Sequence, residues 1–304
     1  MSPITNHNGN LDGTRIDLSY GVRSTLFGGS IVGLKGFYGY SRNTQNLTCG
    51  PGAGAGPAGF CDVLPLFDSN PNPLLGTAQN IFGSANGGMT FVTRRRADHW
   101  GIALELQPDR GFSAFGAAGP AITKAPATVV QAFTPKYGLA FRRIGQNISI
   151  TATDVVFGTS LNYSERLDTN YWGSYLGLTV AHPVAGLIFS LDGEAGLYWA
   201  QTSYNGTMLT SAVNTGNTAL TLSKNRAAFI GIAKAAVDKD FGTWKAGVFA
   251  RAEWYSYAPE MNYNSLDVNG AFTNFSGPNN GGTTIGNSSA WTWSVGSRVA
   301  IKLH

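Results

Sequence analysis

Charged residues of both signs recur at every second position in several segments of the chain. In 243–257, Arg251 and Glu253 alternate with a wholly apolar series that runs from Trp244 to Trp254. Charges held in a confined interior either pair with one another or, around a water-filled passage, select solutes by charge. Both interpretations stay open for the polar faces. The residues that would carry this chemistry are Arg15, Arg23, Lys35, Glu105, Asp192, Glu194, Lys234, Lys245, Arg251, Glu253 and Arg298.

Enzymatic chemistry is not indicated. Of the four histidines only His99 lies where it could act, and a single histidine on a strand is most often structural. The sequence contains no nucleophile elbow, no metal-ligand spacing and no phosphate-binding loop, so we expect no catalytic residue, metal or cofactor. Cys49 and Cys61 lie twelve residues apart in one polar stretch, which predicts a disulfide in an exported protein.

Composition excludes several classes of protein. Charged residues make up 12% of the 304 residues, about half of the roughly 25% found in ordinary soluble domains. Hydrophobic residues make up 43%, which argues against disorder. A net charge of +4 with one basic cluster, Arg94 to Arg96, argues against a nucleic-acid partner. No apolar run approaches the roughly 20 residues of a membrane-spanning helix.

The dominant pattern has a period of two, which is typical of β-strands. Eleven segments fit it: 15–26, 30–42, 99–107, 111–116, 136–143, 147–153, 171–182, 187–201, 226–238, 243–257 and 291–303. Short turns are predicted at 27–29, 108–111, 145–146, 183–186 and 239–242, and long polar stretches at 43–90, 117–135, 154–170, 204–222 and 259–288. No domain boundary is visible. We therefore predict one all-β domain over 1–304, with 43–90 as a long loop within it.

The tryptophans argue against a soluble β-sandwich, which would also alternate apolar and polar residues. All seven fall on the apolar side of their strands and near strand ends: Trp100, Trp172, Trp199, Trp244, Trp254, Trp291 and Trp293. Ten residues separate Trp244 from Trp254, which is about 33 Å along a strand and about 25 Å once the strand is tilted. That is the height of the apolar band in outer-membrane barrels. Indole side chains prefer the boundary of that band, so the seven are predicted to form a lipid-interface girdle.

Two stretches resemble hairpins and closing strands of alphaproteobacterial outer-membrane β-barrel proteins: TNYWGSYLGLTVAHPVAGLIFSLDGEAGLYWAQTSYNG and AWTWSVGSRVAIKL. The resemblance implies a transmembrane antiparallel up-and-down barrel with long extracellular loops and short periplasmic turns. It places Trp244 at the inner rim and the other six tryptophans at the outer rim. Such barrels have even strand numbers, so we expect twelve strands, with ten as the alternative. Eleven candidates leave three explanations: a missed strand, a spurious weak strand, or an N-terminal strand and signal peptide outside this sequence.

The expected function is a porin-like channel in the bacterial outer membrane. It would pass small hydrophilic solutes through a narrow lumen lined by charges of both signs. The alternative is a closed barrel that serves as a surface-exposed structural or adhesion protein. The expected partners are the lipid bilayer with its lipopolysaccharide and the solutes, and a second copy of the chain remains open.

Overall fold

The computed structural model describes residues 13–24, 30–49, 89–108, 132–154, 160–208, 218–259, 261–262 and 284–301. These residues form a single antiparallel up-and-down sheet of nine strands, curled into a nearly closed barrel, and a separate two-stranded ribbon. The strands of the barrel are β1 (Gly13–Arg23), β2 (Ile31–Cys49), β3 (Met89–Gln107), β4 (Ala132–Asp154), β5 (Ser160–Val184), β6 (Leu187–Met208), β7 (Thr218–Asp240), β8 (Trp244–Ala258) and β11 (Ser288–Ile301). The ribbon pairs β9 (Met261–Asn262) with β10 (Thr284–Ile285). No helix in the described part of the chain is long and apolar enough to cross a membrane.

Each barrel strand pairs with its neighbour in sequence, and two of the connections are tight. Ala185 and Gly186 join β5 to β6 with positive φ angles of 51° and 80°, as the type I′ turn of a two-residue hairpin requires. Residues 241–243 join β7 to β8, where Gly242 has a φ of 89° and donates its N–H to Asp240 Oδ1. The turns predicted at these two places are confirmed. Both lie at one end of the barrel, which we call the short-turn end; the opposite end carries the segments that follow β2, β4, β6 and β8.

The alternation in sequence becomes an inside and an outside. On β6, for example, Leu191, Leu197 and Trp199 face outward and are exposed, while Tyr198 and Ala200 face inward and are buried. The inner face is where the core of the molecule lies. Glycines make room for its large side chains: a Cβ on Gly138 would lie 2.7 Å from the ring of Tyr175. The glycine-rich polar face of the sequence therefore accommodates inward-facing aromatic rings.

The number of strands differs from the sequence prediction. Segments 136–143 and 147–153 are one continuous strand, β4, so the turn predicted at 145–146 is wrong. Gly145 allows a close approach instead of a turn, since a Cβ there would lie 2.6 Å from Asp98 Oδ1. Segment 111–116 lies outside the described residues. The described residues therefore give nine barrel strands where twelve or ten were predicted.

The long stretches are also shorter than predicted. β2 continues to Cys49 and β3 starts at Met89, so both ends of 43–90 are strand, and β5 covers most of 154–170. β4 starts at 132, and β6 and β7 extend into 204–222. Polar residues at these strand ends obscured the alternation. Cys61 lies outside the described residues, so the disulfide stays a prediction.

Candidate functional site: the barrel interior

All eleven predicted charges lie on the inward-facing register of their strands, nine of them within the barrel and two, Arg23 and Lys245, at its short-turn end. They come from seven of the nine strands: β1, β2, β3, β6, β7, β8 and β11. Antiparallel pairing with a period of two makes this placement inevitable once the apolar residues face outward. The interior contains a packed region around Glu253, a second ionic group toward the short-turn end and a more open charged side.

Glu253 on β8 is the centre of the first group, which we call the Glu253 cluster. Its side chain is 1% exposed. It accepts from Arg15 Nη1 on β1 at 2.6 Å, and Arg251 Nε lies 2.6 Å from the same carboxylate. Arg142 Nη1 on β4 reaches it at 3.3 Å. Since β4 and β8 lie on opposite sides of the nine-stranded ring, this contact crosses the lumen.

Tyrosines fill the interior beside that cluster. This tyrosine layer consists of Tyr171, Tyr175, Tyr198, Tyr255 and Tyr257, all buried. Tyr255 donates its hydroxyl to Glu253 Oε2 at 2.7 Å and lies 2.8 Å from His99 Nε2. Because the hydroxyl proton is used on the carboxylate, His99 is the donor in the second contact. Tyr171 donates to the carbonyl of Tyr257 at 3.0 Å, which joins β5 to β8.

A second ionic group lies toward the short-turn end, on β2, β3, β4 and β6. Lys136 Nζ lies 2.6 Å from both Asp192 Oδ1 and Glu194 Oε1. Glu105, also buried, accepts from Lys35 Nζ at 2.5 Å and from the Tyr175 hydroxyl at 2.7 Å. Two lysines therefore face three carboxylates here, whereas three arginines surround one carboxylate in the Glu253 cluster. The two groups therefore have opposite local charge, basic around Glu253 and acidic around Lys136.

The side of the lumen formed by β1, β11 and the adjoining stretches of β7 and β8 around Lys234 and Arg251 is less filled. We call its inward charges the charged strip: Arg15, Asp17, Lys234, Arg251 and Arg298, all at least partly accessible to solvent. Arg298 donates from Nε and Nη2 to the carboxylate of Asp238, and Nη2 also donates to Ser190 Oγ. The inward residues of β11 beyond it are Thr292, Ser294 and Gly296, which are too small to fill the lumen.

At the end opposite the short turns, the ribbon contributes an apolar contact to the interior. Ile285 is buried with the inward-facing Leu167 of β5 and Tyr204 of β6. Lys224 Nζ on β7 donates to the carbonyl of Ile285 at 2.6 Å. Part of the segment between β8 and β11 therefore turns inward over the lumen.

The outer surface carries an aromatic belt near the same end. The ring centroids of Trp100 and Phe141 lie 5.0 Å apart, and those of Phe141 and Trp172 lie 4.2 Å apart. Trp172 pairs directly with Trp199, and Trp254 with Trp291, whose ring stacks on Trp293. Trp244 alone lies at the short-turn end, stacked on Phe241. From the belt to the short-turn end, the outward-facing described residues include no Asp, Glu, Lys or Arg until Lys239 at the end of β7.

Sequence reasoning missed two buried interior charges, Lys136 and Arg142, and the less buried inward charges Arg95, Lys224 and Arg226. Lys136 and Arg142 occupy central positions in the ionic groups. The signal was present, because Tyr137, Leu139 and Phe141 form an apolar series that assigns Lys136 and Arg142 to the opposite face. Splitting β4 at Gly145 hid that alternation.

The described ranges contain no group of three or more His, Cys, Asp or Glu side chains that could hold a metal ion. Comparisons of the chain with family models, curated proteins and solved structures give no match.

Proposed function

We propose that this chain is an integral β-barrel of the bacterial outer membrane. The observation that carries the proposal is the outer surface: an apolar band, free of charge on all nine strands, that is bordered by tryptophan. Ten residues separate Trp254 from Trp244 along β8, which corresponds to about 25 Å at the usual strand tilt. A surface that faces water does not need an apolar band without charges, whereas a surface that faces the hydrocarbon core of a bilayer requires one.

Leu191→Arg tests the membrane placement. Leu191 is 64% exposed and lies near the middle of the band on β6. An arginine near the bilayer midplane costs about 2–4 kcal/mol, while an arginine on a water-exposed surface costs almost nothing. We expect that loss in the free energy of unfolding from lipid vesicles. The matched control is Gln201→Arg, outward on the same strand but beyond Trp199, which should stay close to the parent. Equal stability of both variants would contradict the proposal.

Within the membrane, we propose that the barrel acts as a porin-like channel restricted to small ions and solutes. The charged strip supports this function, because it combines accessible charges of both signs with the small inward residues of β11. A narrow passage with such a lining selects by size and by charge.

Conductance of the purified, folded chain in a planar bilayer tests the channel. Discrete current steps are expected, and their reversal potential in a salt gradient gives the sign of the selecting charge. Silence from protein shown to be folded by heat-modifiable gel migration would contradict the channel and leave the membrane placement intact.

The second candidate is a closed barrel with a surface-exposed structural or adhesive role. The observation in its favour is the tyrosine layer, where Tyr171 and Tyr255 are inaccessible to solvent and side chains from β3, β4 and β5 reach β8. This candidate predicts that the folded protein produces no current steps in planar bilayers.

A further inference from the structure

A group of outward-facing arginines lies beyond the aromatic belt, at the end opposite the short turns. Arg42 on β2 and Arg96 on β3 are directly opposite in the register, and Arg94 is the next outward residue on β3. All three are exposed, and among the described residues none of them makes an ion pair. We call Arg42, Arg94 and Arg96 the arginine patch.

Two like charges directly opposite on an antiparallel pair are destabilising, because their Cβ atoms are only about 5 Å apart. The one acidic neighbour on this face is Asp98, two residues from Arg96 toward the belt, and it makes no ion pair with the patch in the described part of the chain. The four side chains therefore keep a net charge of +2. An arrangement of this kind is stabilised by an anion that both guanidinium groups can bind.

The neighbours of the patch suit an oxygen-rich anion. Thr44 is opposite Arg94 on β2, and Asn147 and Ser149 are opposite Arg96 and Arg94 on β4. All three positions lie on the outward register, so hydroxyl and amide donors flank the arginines on both sides. Elsewhere at this height the outward arginines have a carboxylate partner: Arg143 and Arg166 both pair with Asp168, at 3.1 and 2.7 Å.

The height of the patch identifies the source of the anion. Arg96 lies four residues beyond Trp100, which is about 10 Å along the barrel axis at the usual tilt. Headgroups begin at the tryptophan belt, so the arginines lie among them. We propose that the arginine patch binds the phosphate groups of an anionic lipid of the surrounding leaflet. This inference rests on the membrane placement proposed above.

The test titrates the detergent-solubilised folded barrel with diphosphorylated lipid A and with the same lipid after dephosphorylation, followed by tryptophan fluorescence. The parent is expected to bind the phosphorylated lipid at least tenfold more tightly than the dephosphorylated one. The triple variant Arg42→Gln, Arg94→Gln, Arg96→Gln should lose that preference. Arg166→Gln, which removes an outward arginine that is already paired, should keep it. Inorganic phosphate at the same concentration should compete weakly, since one free phosphate lacks the anchored lipid.

Three results would overturn the inference: equal binding of the two lipids by the parent, an unchanged preference in the triple variant, or full competition by inorganic phosphate. Insertion of each variant into phosphatidylcholine vesicles, scored by heat-modifiable migration and protease resistance, is measured separately. A parent that fails to insert contradicts the membrane placement. A parent that inserts normally and shows no phosphate preference contradicts the arginine patch alone.

Discussion

The two sides of the barrel interior accommodate inward-facing charges in different ways. Where β3, β4 and β5 face β8, tyrosine rings and fully buried charges fill the space, and every carboxylate has several donors. Along β1 and β11, the inward residues are small or are charged groups that remain accessible. One side is organised as a polar protein core, and the other as a solvent-accessible surface that faces inward.

The difference determines what each ion pair contributes to stability. A buried charge that loses its partner retains its full desolvation cost, whereas an accessible one is rehydrated and screened. The same chemical pair, a carboxylate with arginine, is therefore expected to contribute several kcal/mol at the buried Glu253 and much less at the accessible Asp17. In the proposed channel, the packed side would be closed and the passage would run along the charged strip.

The largest effect is expected for Glu253→Gln. The change leaves Arg15, Arg142 and Arg251 close together without their common carboxylate, and it removes an acceptor of the Tyr255 hydroxyl. Breaking a buried ion pair from one side costs about 3–5 kcal/mol. Urea unfolding of the barrel from lipid vesicles measures the loss.

Asp17→Asn is the matched control on the charged strip. The Asp17 side chain is 27% exposed and contacts two of the same arginines, Arg15 at 2.8 Å and Arg251 at 3.8 Å. We expect a loss below about 1 kcal/mol. Equal losses for Glu253→Gln and Asp17→Asn would mean that the two sides of the lumen are not different environments.

The next effect is steric, and Gly173→Ala measures it. A Cβ on Gly173 would lie 2.1 Å from the carbonyl oxygen of Leu197 and 2.7 Å from the ring of Tyr198, so the tyrosine layer has to shift. Overpacking of this kind costs about 1–3 kcal/mol. Gly33→Ala on β2 is the control, because its nearest contacts would be at 3.7–3.9 Å. An alanine there should be neutral or slightly stabilising, and a comparable loss at Gly33 would contradict a packed side distinct from the open one.

The outer surface was more predictable from sequence than the interior. Lipid-facing positions accept only apolar residues, so Trp244 to Trp254 alternates without exception and gives both the strand and its orientation. Inward positions accept Gly, Ser, Tyr, Lys or Glu according to what lies across the lumen, and that partner can be a hundred residues away, as Arg142 is from Glu253. The alternation with a period of two therefore predicted that the charges face inward. Their division into a packed and an open side depends on tertiary contacts, which the sequence pattern does not contain.

Ion selectivity is the third way to compare the two sides. Lys234 on β7 belongs to the charged strip, and its ammonium lies 4.7 Å from the centroid of the Phe249 ring. Lys234→Glu should shift the reversal potential in a salt gradient toward cation preference. Lys239→Glu changes the charge equally on the same strand but on the outward register, and should leave the potential unchanged. A shift of equal size in both would show that the lumen is not the conducting path.

The smallest effect is expected for Arg298→Lys. Arg298 holds Asp238 with two nitrogens, and its side chain is 32% exposed. Lysine keeps the charge and loses the paired geometry. Because lysine keeps a cation opposite the buried Asp238 and the Arg298 side chain is open to solvent, we expect a decrease of only about 1 kcal/mol in the free energy of unfolding. Arg142→Lys makes the same substitution within the Glu253 cluster, where the packed surroundings admit no water to compensate. Arg142→Lys should therefore lower the free energy of unfolding clearly more than Arg298→Lys does. Equal losses for the two variants would contradict a solvent-accessible charged strip.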